Sequence, residues 1–127
     1  MKILLDTTVL IDALRVRNKR REFLADLVRE GHALCTTVLN VVEIYSGMRP
    51  QEERGTVSFL AAIPCLAIDE ASGRLGGQFK AHWGRKGRTI PIVDCVVAAV
   101  AVQNGCVVAT DNRKDFPMQE VRLYPLP

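Results

Sequence analysis

Residues 1–14 read MKILLDTTVLIDAL. Ile3 to Leu5 form a short apolar run without alternation, which predicts a strand buried on both faces. Asp6 closes the run, Thr7 and Thr8 make a polar step, and apolar residues return at helical spacing over Val9–Leu14. The order strand, loop, helix so early in the chain points to an α/β fold with a parallel sheet.

The rest of the sequence repeats that alternation. Lys19–Glu30 places Phe23, Leu24, Leu27 and Val28 at helical spacing, and Gly31 supplies a stop. Ala33–Thr36 is a strand candidate, followed by a helix over Val38–Ser46 that Thr36 or Thr37 can cap. Pro50 opens a helix running to about Ala62, and Pro64 closes it. Cys65–Ile68 reads as a third strand and Asp69–Trp83 as a helix, with Gly76 and Gly77 inside it permitting close packing. GRKGRT at 84–89 is a basic loop. A helix over Ile92–Gln103 ends at Asn104 and Gly105, and Val107–Ala109 is a strand. Thr110–Phe116 is a polar loop with a short turn, and Val121–Tyr124 is a last strand. The expected architecture is a three-layer α/β/α sandwich on a mostly parallel sheet of four or five short strands, a single domain over residues 1–127.

Three carboxylates interrupt apolar sequence: Asp6 after KILL, Glu43 inside VLNVVEIY, and Asp94 between IPIV and CVVAAVAV. Burying a charge is costly unless it is compensated, and no Lys or Arg lies within five residues of Glu43. In an open parallel sheet, ligands bind outside the carboxyl ends of the strands. Asp6 and Asp111 each follow a predicted strand, Asp94 lies in the first turn of a helix that starts at the same rim, and Glu43 is about two turns into its helix. Four such acids suit a hard divalent cation with oxygen ligands. Asp6 and Asp94 also have bland local readings, as a helix N-cap and as a complement to a helix dipole. The apolar neighbours of Glu43 offer it no local role, and its bland reading is an ion pair with a buried arginine from across the fold. Asp12, Asp26, Glu52, Glu53, Asp69 and Glu70 read as exposed helix residues.

Composition narrows the class. The net charge is only +3, with basic clusters at Arg15, Arg17, Lys19, Arg20 and Arg21 and at Arg74, Lys80, Arg85, Lys86 and Arg88. Such clusters are either solvated surface or contacts to a phosphate backbone. No apolar run approaches the roughly 18 residues of a membrane span, and MKILLD does not resemble a secretory leader, so a soluble cytoplasmic protein is expected. The four cysteines stand singly without a C-x-x-C pair, which argues against zinc and favours buried reduced thiols. There is no G-x-x-x-x-G-K-[ST], no G-x-G-x-x-G, no D-x-D and no G-x-S-x-G, so nucleotide cradling, aspartyl phosphatase and serine hydrolase chemistry lack their signatures.

Four stretches carry a family resemblance: LLDTTVLIDAL at 4–14, TTVLNVVEIYSG at 36–47, IPIVDCVVAAVAVQNG at 90–105 and VVATDNRKDF at 107–116. In this order they resemble the PIN domain family, specifically VapC-type toxins of toxin–antitoxin pairs. The resemblance implies that Asp6, Glu43 and Asp94 are metal acids. For the fourth ligand, an acid or asparagine in the family, it leaves Asp111, Asn112 and Asp115 in competition, with the two aspartates favoured and Asp111 placed beside the first three as a metal ligand. Thr7, Thr110 and Asn112 would support the acids or a metal-bound water. DTT stands here where DTN or DTS is common, which leaves Thr8 a supporting role.

By the same resemblance, the activity would be an endoribonuclease using Mg²⁺ or Mn²⁺ to activate water. The protein would be a homodimer inhibited by a cognate VapB-type antitoxin, and Arg15–Arg21 and Arg85–Arg88 would contact the RNA substrate. The competing readings are a non-catalytic PIN-like module that binds RNA or protein, and a structural ion-pair network.

Overall fold

A computed structural model describes residues 1–127. Strands β1 (Lys2–Leu5), β2 (Ala33–Thr37), β3 (Cys65–Leu66), β4 (Cys106–Ala109) and β5 (Arg122–Leu123) form one sheet. Its order is β3-β2-β1-β4-β5, and every neighbouring pair is parallel. The helices are α1 (Thr7–Leu14), α2 (Arg20–Arg29), α3 (Val38–Ser46), α4 (Glu53–Ala61), α5 (Glu70–Arg85) and α6 (Ile92–Gln103), with short 3-10 turns at Pro50–Glu52 and Arg113–Asp115.

The side-chain alternation of β1 divides the core. Ile3 and Leu5 face a cluster built with Val9, Leu10, Leu24, Leu27 and Ile44, from α1, α2 and α3. Leu4 faces the opposite cluster, with Cys35, Phe79, Val108 and the buried residues of α6. Each layer covers one face of the sheet, so β1 has no solvated side and its apolar run needs no polar alternation. The α5–α6 pair packs closely because Gly76 carries no side chain: a Cβ there would meet Val96 Cα at 3.2 Å and Cys95 O at 3.3 Å.

Several boundaries differ from the sequence reading. Thr7 and Thr8 already belong to α1. Pro50 opens a 3-10 turn, and the α-helix starts only at Glu53. Gly84 and Arg85 complete α5, so the basic loop is shorter than GRKGRT. Thr37 is the cap of α3, accepting from the backbone N–H of Asn40. Cys35, Cys95 and Cys106 are buried free thiols, whereas Cys65 is exposed on the edge strand. No helix is long and apolar enough to cross a membrane.

The sheet order changes direction at β1. From β1 the chain moves outward to β2 and β3 and then returns to β4 on the other side. This is the topological switch point where open α/β sheets leave a crevice. Asp6 and Thr110, which follow the paired ends Leu5 and Ala109, stand at its mouth.

Candidate active site

Asp6 directly follows β1 and is only 2% exposed. It occupies the N-cap position of α1 but its side chain makes no capping bond. Asn40 Nδ2 donates to its Oδ1 at 3.1 Å, and Thr110 Oγ1 donates to its Oδ2 at 2.6 Å. Neither partner is charged. Burial pushes the Asp6 carboxyl above its ordinary range, a push opposed by the Thr110 and Asn40 hydrogen bonds and reinforced by the charge of Glu43.

Asn40 is the residue that sequence reading missed. It is fully buried three positions after the helix cap. Its Oδ1 accepts from the Thr37 backbone N–H and hydroxyl, which turns Nδ2 toward Asp6 Oδ1 and Thr7 Oγ1. The available signal was T-x-x-N over 37–40, a capping-box spacing with an amide at its third position. Thr7 then donates to Glu43 Oε1 at 2.6 Å, so one amide fixes two of the acids.

Asp94 lies in the first turn of α6, partly buried. Its carboxyl is pushed up to about 7, first by burial and then by the charges of Asp6, Asp115 and Glu43. These four acids therefore share one field. They border a cavity of about 340 Å³ with Thr7, Thr8 and Asn112, and no Lys or Arg lines it. None of Asp6, Glu43, Asp94 and Asp115 has an ion-pair partner. None of these four acids is part of an ion-pair network within the protein.

The structure does not bring Asp111 into the group. It forms an ion pair at 2.7 Å with Arg20, whose side chain is only 6% exposed. Both residues border a separate cavity with Arg113 and Pro125–Pro127. A buried guanidinium demands a counter-charge, and Asp111 supplies it. Asp115 lines the acidic cavity, with Asn112 beside it. Asn112 donates its backbone N–H to Thr110 Oγ1, fixing the hydroxyl that holds Asp6. Asp111 and Asp115 thus border different cavities, because the loop after β4 turns these two side chains to different partners.

The first basic cluster is largely occupied as well. Arg15 pairs with Glu52, Arg20 with Asp111, and Arg21 donates to the carbonyls of Ala13 and Leu14. Arg85, Lys86 and Arg88 have no carboxylate partner.

The donor set fits a hard divalent ion: four carboxylates, one amide side chain and hydroxyls, without thiol or imidazole. No three of the acids converge tightly enough to clasp one ion among themselves. That spacing suits an ion held by one or two carboxylates and its own waters. Thr8 Oγ1 is buried without a hydrogen-bond partner at the same cavity, a hydroxyl that such a water would satisfy.

A parallel sheet whose switch point carries clustered acids defines the class, and the family model described as "PIN domain" matches residues 3–120. The chain belongs to the PIN domain family. It is 30% identical over 115 residues to Ribonuclease VapC19 of Mycobacterium tuberculosis, covering 91% of this chain and 92% of that one. It is 31% identical over 118 residues to Ribonuclease VapC10 of the same organism, covering 93% and 88%. Among solved structures, VapBC2 from Rickettsia felis bound to a promoter DNA fragment superposes with a TM-score of 0.84 at 16% identity, over 100% of both chains.

Proposed function

We propose that this chain is a metal-dependent endoribonuclease and the toxin of a toxin–antitoxin pair. The observation that carries the reading is a rim cavity surrounded by Asp6, Glu43, Asp94 and Asp115 with no cation of the protein's own. Its relatives are named ribonucleases, which supports RNA as the substrate class.

One or two of Asp6, Asp94 and Asp115 would hold Mg²⁺ or Mn²⁺ directly and the rest through the ion's waters, with Glu43 as a ligand or as the base that orients water. When bound there, the ion supplies Lewis acidity toward a phosphodiester and a more acidic water. The residues around it do the positioning. Asn40 and Thr110 each hold one oxygen of Asp6, which fixes the plane of that carboxylate. Thr7 holds Oε1 of Glu43 and leaves Oε2 without a protein donor, able to accept a proton from attacking water. Asn112 keeps Thr110 aimed at Asp6 through its backbone N–H.

A VapB-type antitoxin is the partner we propose, supported by the VapBC complexes that share the fold. An antitoxin arginine in the acidic cavity would supply the compensation that the chain lacks. A homodimer is supported by the exposed apolar residues Val38, Val42 and Tyr45, which recur along α3.

Purified, antitoxin-free protein is expected to cleave RNA with added Mg²⁺ and to stop when the metal is chelated. Asp6→Asn and Asp94→Asn should each lower the rate by on the order of a hundredfold or more. Undiminished cleavage in both variants would overturn the assignment. RNA retention without cleavage by the wild-type protein would favour the non-catalytic module.

A further inference from the structure

The acidic cavity leaves the affinity for RNA unexplained. Its charge repels a phosphate backbone, and most of the Arg15–Arg21 cluster is engaged elsewhere. A second and larger cavity, of about 640 Å³, opens between the last turns of α5 and segment 117–120. Phe79, His82, Trp83, Arg85, Lys86 and Met118 line it. Building on the nuclease reading, we propose that this groove is a nucleotide subsite for single-stranded RNA beside the scissile phosphate.

Its position follows from the topology. Helices α5 and α6 form an antiparallel hairpin, so the end of α5 returns to the rim where α6 begins with Asp94. Lys80 Nζ in α5 donates to Ile90 O just before α6, which ties the two ends together. Segment 110–120 leaves β4 at the same rim, and Arg88 donates to Lys114 O to bridge the two loops. Asn112 and Asp115 face the acidic cavity, whereas Pro117 and Met118 line the groove. One short segment therefore walls both, and two residues of chain span at most about 7 Å from Asp115 to Pro117.

Its chemistry matches RNA. Lys86 Nζ lies 5.0 Å from the centre of the Trp83 ring, and the Arg88 guanidinium lies 5.4 Å from it. His82 meets the same ring edge-on at 5.3 Å. Lys86 is exposed and makes no side-chain hydrogen bond, so a phosphate can draw it from the ring while a base stacks in its place. That exchange is favourable, because an exposed cation–π contact is worth less than a base stacked on an aromatic side chain. Glu120 is the one acid in the lining, against Arg85 and Lys86.

Trp83 is the only tryptophan in the chain, so its fluorescence reports directly on the groove. A labelled mixed-sequence single-stranded oligoribonucleotide, titrated at low salt with the metal chelated, should quench Trp83 and raise the anisotropy of the label. The exposed pair Arg85→Glu with Lys86→Glu should weaken binding by about tenfold or more and flatten its salt dependence by roughly the two lost phosphate contacts. With Mg²⁺ and a long RNA, the same double variant should raise KM with kcat little changed. Quenching by polyglutamate but not by RNA would show a site for an acidic peptide and overturn the proposal, as would undiminished RNA binding by the charge-reversed protein. The nuclease reading is judged separately by cleavage in the wild-type protein, whereas the subsite stands or falls on the chelated titration.

Discussion

Asp111 and Asp115 are four residues apart and chemically alike, yet the fold assigns them different work. Asp111 neutralises Arg20, and Asp115 adds to the field on Asp94. Asp111→Asn is therefore expected to leave RNA cleavage within a few-fold of wild type while costing about 1.5–3 kcal/mol of stability in a denaturant titration. Asp115→Asn should leave stability nearly unchanged and lower cleavage by at least an order of magnitude. The reverse pattern would place the fourth acid at 111. Neither side chain's direction was legible in VVATDNRKDF, because the direction of a side chain beyond a strand's end depends on what waits across the fold. Asp111 meets Arg20, 91 residues away. Asn40 makes the same point: its capping role was local and readable, but its grip on Asp6 was not.

At the scale of elements, α6 carries Asp94 and is fixed by contact with α5. Gly76 allows that contact, while a Cβ at Gly77 would meet nothing within 4 Å. Gly76→Ala should cost about 1–3 kcal/mol, since backbone atoms of Val96 and Cys95 must shift, and should reduce cleavage by displacing Asp94. Gly77→Ala should stabilise by roughly 0.5–1 kcal/mol through helix propensity alone. Chemical denaturation of the two variants separates packing from propensity. The adjacent glycines in GRLGG already suggested close packing, but only the helix pairing shows which of them touches a neighbour.

Across the whole molecule, the acids make stability depend on pH and on metal. The Asp94 carboxyl is pushed up to about 7 in the folded protein, from 3.8 in the unfolded chain. Asp6 is raised as well. The folded state therefore binds the extra protons, and stability falls as pH rises from about 4 to 7. With the metal chelated, Tm should be higher at pH 5.5 than at pH 8, and Asp94→Asn should flatten the difference. After discounting for its partial exposure, Asp94 contributes on the order of 1–3 kcal/mol to this effect. Added Mg²⁺ should raise Tm more at pH 8 than at pH 5.5, because the ion and the proton compete for the same oxygens. A Tm that climbs from pH 5.5 to pH 8 in chelator would contradict this account.

The sequence by itself determined the alternating strands and helices, their order, the parallel sheet and the three acids that interrupt apolar runs. Those properties are local, since a buried strand or an amphipathic helix is written in the spacing of its own residues. The tertiary structure alone decided that Asp115 joins the acidic cavity while Asp111 faces Arg20, that Asn40 fixes Asp6 and Thr7, and that the first basic cluster is largely engaged within the protein. Partners for buried charges and amides are chosen by proximity in three dimensions, where desolvation makes each pairing matter, and sequence spacing carries no record of that proximity.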